Sequence, residues 1–188
     1  MGHPKATLPW GDGTFVSTAL RTLASGGLGP LVMVCGAHAP ETRAALPRGI
    51  DVDLLENPAP ERGQLSSLKL ALGHLASQGT TTGAIVSLID HPNVRVDTIL
   101  RIREAGEPAR IVVPRHDDRR GHPVYFGRAL WDEILAADDA GGARVVVRRD
   151  PARVRELATD DPGVLVDVDT PADFATLRAS NRGANRGP

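Results

Sequence analysis

Two hydrophobic periods alternate along the chain, and that alternation limits its folds more than any single residue does. "TFVSTALRTLASGG" carries Phe15, Val16, Ala19, Leu20 and Leu23 at helical spacing, with Thr14 as N-cap and Gly26-Gly27 as the stop. "PLVMVCG" then reads as a buried parallel strand, "APETRAALP" as a short helix and "IDVDLLEN" as a second strand. In "GQLSSLKLALGHLASQG", Leu65, Leu68, Leu72 and Leu75 form one helical stripe. "GAIVSLIDHP" is the most hydrophobic strand and ends in a carboxylate; "VDTILRIREAG" is helix, "ARIVVPR" and "HPVYFG" strands, and "RALWDEILAAD" helix. Residues 143–149 fit helix or strand, and residues 154–158 and 164–168 read as strands. A last helix opens with Thr170 as N-cap and Pro171 at its first position. Strand and helix alternating in this way predict a three-layer α/β fold with a mostly parallel sheet. Residues 1–179 form one domain on this reading, and the polar, Gly-rich residues 180–188 form a disordered tail.

Composition excludes several classes. The 188 residues are 41% hydrophobic but only 3% aromatic, so Leu, Val, Ile and Ala must build the core. A formal net charge of -1 argues against a nucleic-acid binder that relies on bulk positive charge. No apolar run reaches membrane-spanning length and no signal-peptide pattern opens the sequence, so the expected location is the cytoplasm. The single cysteine, Cys35, cannot form an intramolecular disulfide; inside "LVMVC" it reads as a buried thiol.

Chemistry-bearing residues concentrate in a few stretches. In an open parallel sheet, ligands bind at the carboxyl ends of strands. Asp90 of "LIDHP" sits at such an end, suited either to hold Mg²⁺ beside substrate phosphates or to cap the next turn. His91 beside it reads more simply as a turn residue. In "GVLVDVDTPADF", Asp167 and Asp169 alternate with Val168, so on a strand both carboxylates share a face. A cation shared with Asp90 would relieve their repulsion, although Asp169 also fits a helix cap. "ERGQLSSL" places Gly63, Gln64, Ser66 and Ser67 where a helix offers free N–H groups to a base edge or phosphate. Ordinary serine capping accounts for one of the two hydroxyls. Lys5, in the Gly- and Pro-punctuated opening "MGHPKATLPWGDGTF", is either a solvated lysine or a phosphate-neutralising one.

Taken in order, "MGHPKATLPWG", "NPAPERGQLSSL", "LIDHP", "RGHPVYFG" and "DVDTPADF" resemble the MobA-like nucleotidyltransferases, and among them the molybdenum cofactor cytidylyltransferase branch. The resemblance runs from Met1 to about Arg178 and implies a Rossmann-like, GT-A-type fold. It implies transfer of a nucleoside monophosphate, with CTP as donor and a phosphorylated pterin as acceptor, releasing pyrophosphate with Mg²⁺ or Mn²⁺. Sugar-phosphate or phospho-acid acceptors, or a non-catalytic cofactor-binding role beside a molybdoenzyme, are the alternatives. By motif, Lys5 would contact phosphate, Asp90 would be the principal metal ligand, and Asp169 with Asp167 the second. Gly63, Gln64, Ser66 and Ser67 would lie on the nucleotide, and Gly121, His122 and Pro123 on the acceptor. The family's opening strand and glycine loop, LAAGxSxR, have no counterpart here. The expectation is a sheet lacking its first, central strand, with exposed edges and apolar neighbours; either the natural chain starts upstream of Met1 or this is a truncated form.

Overall fold

The computed structural model describes residues 4–79, 81–139 and 142–184, with side chains described to residue 180. Near the start, strands β1 (Pro9–Trp10) and β2 (Gly13–Thr14) make a small antiparallel pair leading into helix α1 (Phe15–Ser25). Thr14 caps that helix as expected. Its hydroxyl accepts from Ser17 N at 3.2 Å while Ser17 Oγ accepts from Thr14 N at 2.8 Å. Strand β3 (Val32–Cys35), helix α2 (Ala39–Ala44), strand β4 (Asp53–Glu56) and helix α3 (Gln64–Ser77) follow. Then come β5 (Gly83–Val86), α4 (Val96–Ala105), β6 (Ile111–His116), β7 (Arg119–Arg120) and β8 (Val124–Gly127). Helices α5 (Trp131–Ala136) and α6 (Arg144–Arg149), strand β9 (Val154–Ala158) and helix α7 (Pro171–Ala184) complete the order.

The sheet is mixed where a mostly parallel one was expected. β3 pairs β4 and β6 pairs β9 in parallel, but β8 lies antiparallel between β5 and β6. The reversal is made at Asp117-Asp118, both at positive φ (46° and 62°), which join β6 to β7 as a two-residue hairpin. Without an Asn-Gly or Asp-Gly signal, this turn is hard to see in the sequence. Three other expectations change. Strand β5 stops at Val86, so Asp90 lies in the turn beyond it rather than on its last residue. No strand forms over 164–168: Pro162–Leu165 is a 3-10 turn followed by extended chain. Helix α7 continues to Ala184, past the start of the expected tail; residues 185–188, like Met1 and Gly2 of the opening loop, lie outside the described residues.

The largest apolar cluster joins α3 to α5 and α6 across the sheet, with Leu72, Ile111, Trp131, Ile134 and Val146 all at most 1% exposed. With few aromatics to spend, the fold places Trp131 at the centre, its indole N–H donating to Phe126 O at 3.1 Å. Glu133 ties α5 to the residues that follow: Arg153 and Arg149 lie 2.8 and 3.0 Å from its carboxylate. The hydrogen bond from Arg153 holds the Glu133 carboxyl below its ordinary value. Its contribution is therefore full above about pH 4.5 and is lost as pH falls through the lower, folded value. Glu133→Gln is expected to cost about 1 kcal/mol at pH 7 and nothing once the wild-type carboxyl is protonated, read by urea unfolding at several pH values. An equal cost at every pH would show packing, not charge.

Asp161 is a buried hub that no sequence motif announced. Its carboxylate accepts from Arg95 N (2.8 Å), Thr98 Oγ1 (2.7 Å) and Gly163 N (2.9 Å), and the residue is 1% exposed. One charge thus caps α4 and fixes the turn leading to Asp167. Asp161→Ala leaves three donors without their acceptor, two of them buried, and is expected to cost about 3–5 kcal/mol in thermal or urea unfolding. A loss below about 1 kcal/mol would mean water replaces the carboxylate there.

The sheet is also divided. Among the described residues, β3 has no ladder partner on the side away from β4, nor β5 on the side away from β8. Between them lies a cavity of about 380 Å³, lined by both strands and by apolar side chains of α1 (Val16, Leu20) and α3 (Leu68, Leu72). It extends to Asp90. Strand β3 is consequently only half-buried, and so is Cys35, against the expectation of a buried thiol. Burial and the neighbouring Glu56 charge nonetheless push that thiol's pKa up, away from nucleophilic reactivity. No helix among the described residues is long and apolar enough to cross a membrane.

Candidate active site

Three segments far apart in sequence meet beyond the end of β5. The first is the opening loop, a single 3-10 turn over Lys5–Thr7. Trp10 and Phe15 anchor it by packing against Val168, Phe174 and Leu177. The second is the Ile89-Asp90 turn. The third is the extended segment 166–169, in which Val168 is fully buried and its N–H donates to Asp90 O at 3.1 Å. Burying Val168 turns its two neighbours outward, as alternation in an extended chain requires. So both carboxylates project toward the site from coil and not from a strand, Asp167 beside Asp90 and Asp169 onto Lys5.

Lys5 Nζ lies 3.3 Å from Asp90 Oδ2 and also donates to Asp169 Oδ1. Burial opposes the ammonium charge, but the hydrogen bond to Asp169 and the field of Asp90 outweigh it, and the Lys5 pKa is raised. On the other side of Asp90, oxygens of Asp90 and Asp167 and a nitrogen of His91 all lie within 4.8 Å of one another. Burial, followed by the charges of Asp90 and Asp169, raises the Asp167 carboxyl pKa. Asp90 Oδ1 is buried with no hydrogen-bond partner, as is His91 Nδ1. Two carboxylates and an imidazole with unpartnered atoms are a donor set that fits a divalent ion. Asp169 stands outside that cluster and joins it through Lys5.

The remaining candidates divide. His122 does reach the site: its ring centroid is 5.2 Å from that of His91. Burial, then the neighbouring His91, holds the His122 pKa down to about 4, so it is neutral at pH 7. Gly121 has a structural task, because a Cβ there would run into the Val164 carbonyl, and His122 N donates to that same carbonyl at 2.9 Å. Ser66 and Ser67 stand at the start of α3, but both hydroxyls are engaged by Asn57 Nδ2, at 2.8 and 2.9 Å. Asn57, 5% exposed, is a positioning residue that sequence reading missed; "ENP" gave no cue beyond a turn. Gly63 caps α3 at φ +88°, a conformation that glycine adopts without strain, and Gln64 opens the helix. Ser67 and Gln64 line the same cavity that reaches Asp90.

Residues 1–172 match the MobA-like NTP transferase domain. The chain belongs to the MobA-like NTP transferase family. Nicotine blue oxidoreductase of Paenarthrobacter nicotinovorans is 28% identical, over 89% of this chain and 84% of its own length. The molybdenum cofactor cytidylyltransferase of Escherichia coli (strain K12) is 22% identical, over 95% and 88%. Among solved structures, Rv0371c from Mycobacterium tuberculosis H37Rv in complex with manganese superposes with a TM-score of 0.76 at 34% identity, covering 94% of this chain and 92% of that one. The MobA-like domain is a nucleotidyltransferase domain of GT-A-like α/β architecture, and this protein is accordingly an enzyme.

Proposed function

We propose that the protein transfers a nucleoside monophosphate, CMP from CTP, to the phosphate of a pterin-type acceptor and releases pyrophosphate. The meeting of Lys5, Asp90, Asp167 and Asp169 in one place carries the reading, since these come from the two ends and the middle of the chain. Attack by a terminal phosphate on an α-phosphorus needs no protein nucleophile; it needs charge neutralisation and in-line placement. Asp90 and Asp167, with Asp169 beside them, would hold Mg²⁺ or Mn²⁺. A bound divalent ion neutralises phosphate charge and polarises the reacting phosphoryl group. Lys5, kept protonated by its two carboxylates, supplies a positive charge at the pyrophosphate side of the same site. At the start of α3, Gly63, Gln64, Ser66 and Ser67 would lie against the nucleotide, the two serine hydroxyls held in place by Asn57. Gly121, His122 and Pro123 would lie on the acceptor side, with neutral His122 next to His91. The pairing of CTP with a pterin rests on likeness to the cytidylyltransferase of Escherichia coli, and the use of manganese on likeness to the mycobacterial manganese complex.

Pyrophosphate release should be measured with each of the four ribonucleoside triphosphates, with and without a phosphorylated pterin. Release that requires both CTP and the pterin is expected. Release with a sugar phosphate or a phosphorylated acid would keep the transferase and replace the acceptor. Cofactor binding without turnover under any of these conditions would overturn the proposal and leave a carrier role beside a molybdoenzyme.

A further inference from the structure

We infer that His91 is itself a ligand of the metal centre and makes that centre select a first-row transition ion, such as Mn²⁺, over Mg²⁺. The inference deepens the proposed function and rests on its reading that Asp90 binds a metal. His91 is 8% exposed, so its imidazole is withdrawn from water, and its Nδ1 has no hydrogen-bond partner. Its Nε2 stands 3.9 Å from Asp90 Oδ1, which is also buried and unpartnered. That separation is too long for a hydrogen bond, yet ligand bonds of about 2.0–2.2 Å to one ion can span it. A buried polar atom left unpartnered costs about 1–3 kcal/mol, and Asp90 Oδ1 is such an atom, with a nitrogen of His91 and an oxygen of Asp167 gathered close to the Asp90 carboxylate. A turn histidine, the simpler reading of "DHP", would point its ring into solvent.

The donor chemistry sets the preference. Mg²⁺ favours oxygen ligands and surrenders its waters reluctantly, whereas imidazole nitrogen binds progressively better from Mn²⁺ to Cu²⁺. An all-carboxylate site would discriminate weakly between Mg²⁺ and Mn²⁺; a nitrogen in the ligand set tips it. His122 does not supply that nitrogen, since the donor atoms gathered within 4.8 Å of one another belong to Asp90, His91 and Asp167.

Metal binding without nucleotide or turnover tests this. Mn²⁺ should be titrated into the whole protein by electron paramagnetic resonance, with Mg²⁺ as competitor, and electron spin-echo modulation recorded on the Mn²⁺ complex. The wild type is expected to show modulation from a coordinated ¹⁴N, which His122→Gln retains. His91→Gln should lose it and bind Mn²⁺ about 10–100-fold more weakly, while Mg²⁺ affinity changes by less than about 3-fold. Absence of ¹⁴N modulation in the wild type, while Asp90→Asn still abolishes Mn²⁺ binding, overturns the role of His91 and leaves the metal centre standing. Unchanged Mn²⁺ binding in Asp90→Asn overturns both. The wild-type spectrum decides the ligand whether or not His91→Gln folds.

Discussion

Asp90→Asn is expected to lower pyrophosphate release by about 10³-fold or more, equivalent to roughly 4 kcal/mol of transition-state stabilisation, while leaving the melting temperature unchanged or slightly raised. Both halves follow from the same carboxylate. Its Oδ2 faces Lys5 and its Oδ1 is buried without a partner. Without a bound cation that charge is balanced from the Lys5 side alone and lies beside Asp167, whose pKa it helps to raise. Removing it therefore relieves repulsion in the ground state, even as it removes the group that holds the ion. A carboxylate that merely capped the turn would behave in the opposite way, losing stability and keeping activity. Turnover within about 10-fold of wild type would remove Asp90 from the centre of the mechanism.

Filling the slot between β3 and β5 is expected to produce the largest gain in stability. We propose that an apolar strand of five or six residues, joined through a glycine turn ahead of residue 4, will raise the melting temperature by about 10 °C. Among the described residues the slot is bordered by strand edges without ladder partners, and it is lined by leucines of α1 and α3. A strand there buries both of its faces, which calls for a continuous Val/Ile/Leu run. Each such side chain contributes about 1.5–3 kcal/mol, against about 1–2 kcal/mol per residue of backbone ordering. A net few kcal/mol at about 2–4 °C each gives the stated rise. Lys5 contacts Asp90, where the slot ends, so the added chain enters beside its target. The same extension with proline at its centre, unable to complete either ladder, is the control. Equal melting temperatures for the two would show that the slot is not a strand site.

Much of this molecule could be read locally, and the misreadings share one origin. The leucine stripe of α3, the capping box at Thr14 and Ser17, and the helix opening at Pro171 are properties of adjacent residues, decided by spacing and hydrogen-bonding type. Asp90, Asp167 and Asp169 stand out as carboxylates beside apolar runs and Lys5 as the lysine of the Gly- and Pro-punctuated opening, and the fold brings all four together. What spacing could not supply was direction and environment. Asp117 and Asp118 reverse the chain by adopting positive φ, which two aspartates do not advertise, and the sheet becomes mixed as a result.

His91 is the sharpest case. As part of "DHP" it is a polar residue in a turn; only in the fold, where Val168 N is fastened to Asp90 O, is it buried beside two carboxylates. Asn57 and Asp161 likewise became hubs because Ser66, Ser67, Arg95 and Thr98, whose groups they bind, belong to other elements. By itself the sequence determined which elements form and which side chains are available, because periodicity, capping and residue chemistry act over a few neighbours. Tertiary structure alone decided strand direction and the membership of the site. Those depend on desolvation and on hydrogen bonds between residues as far apart as Lys5 and Asp169.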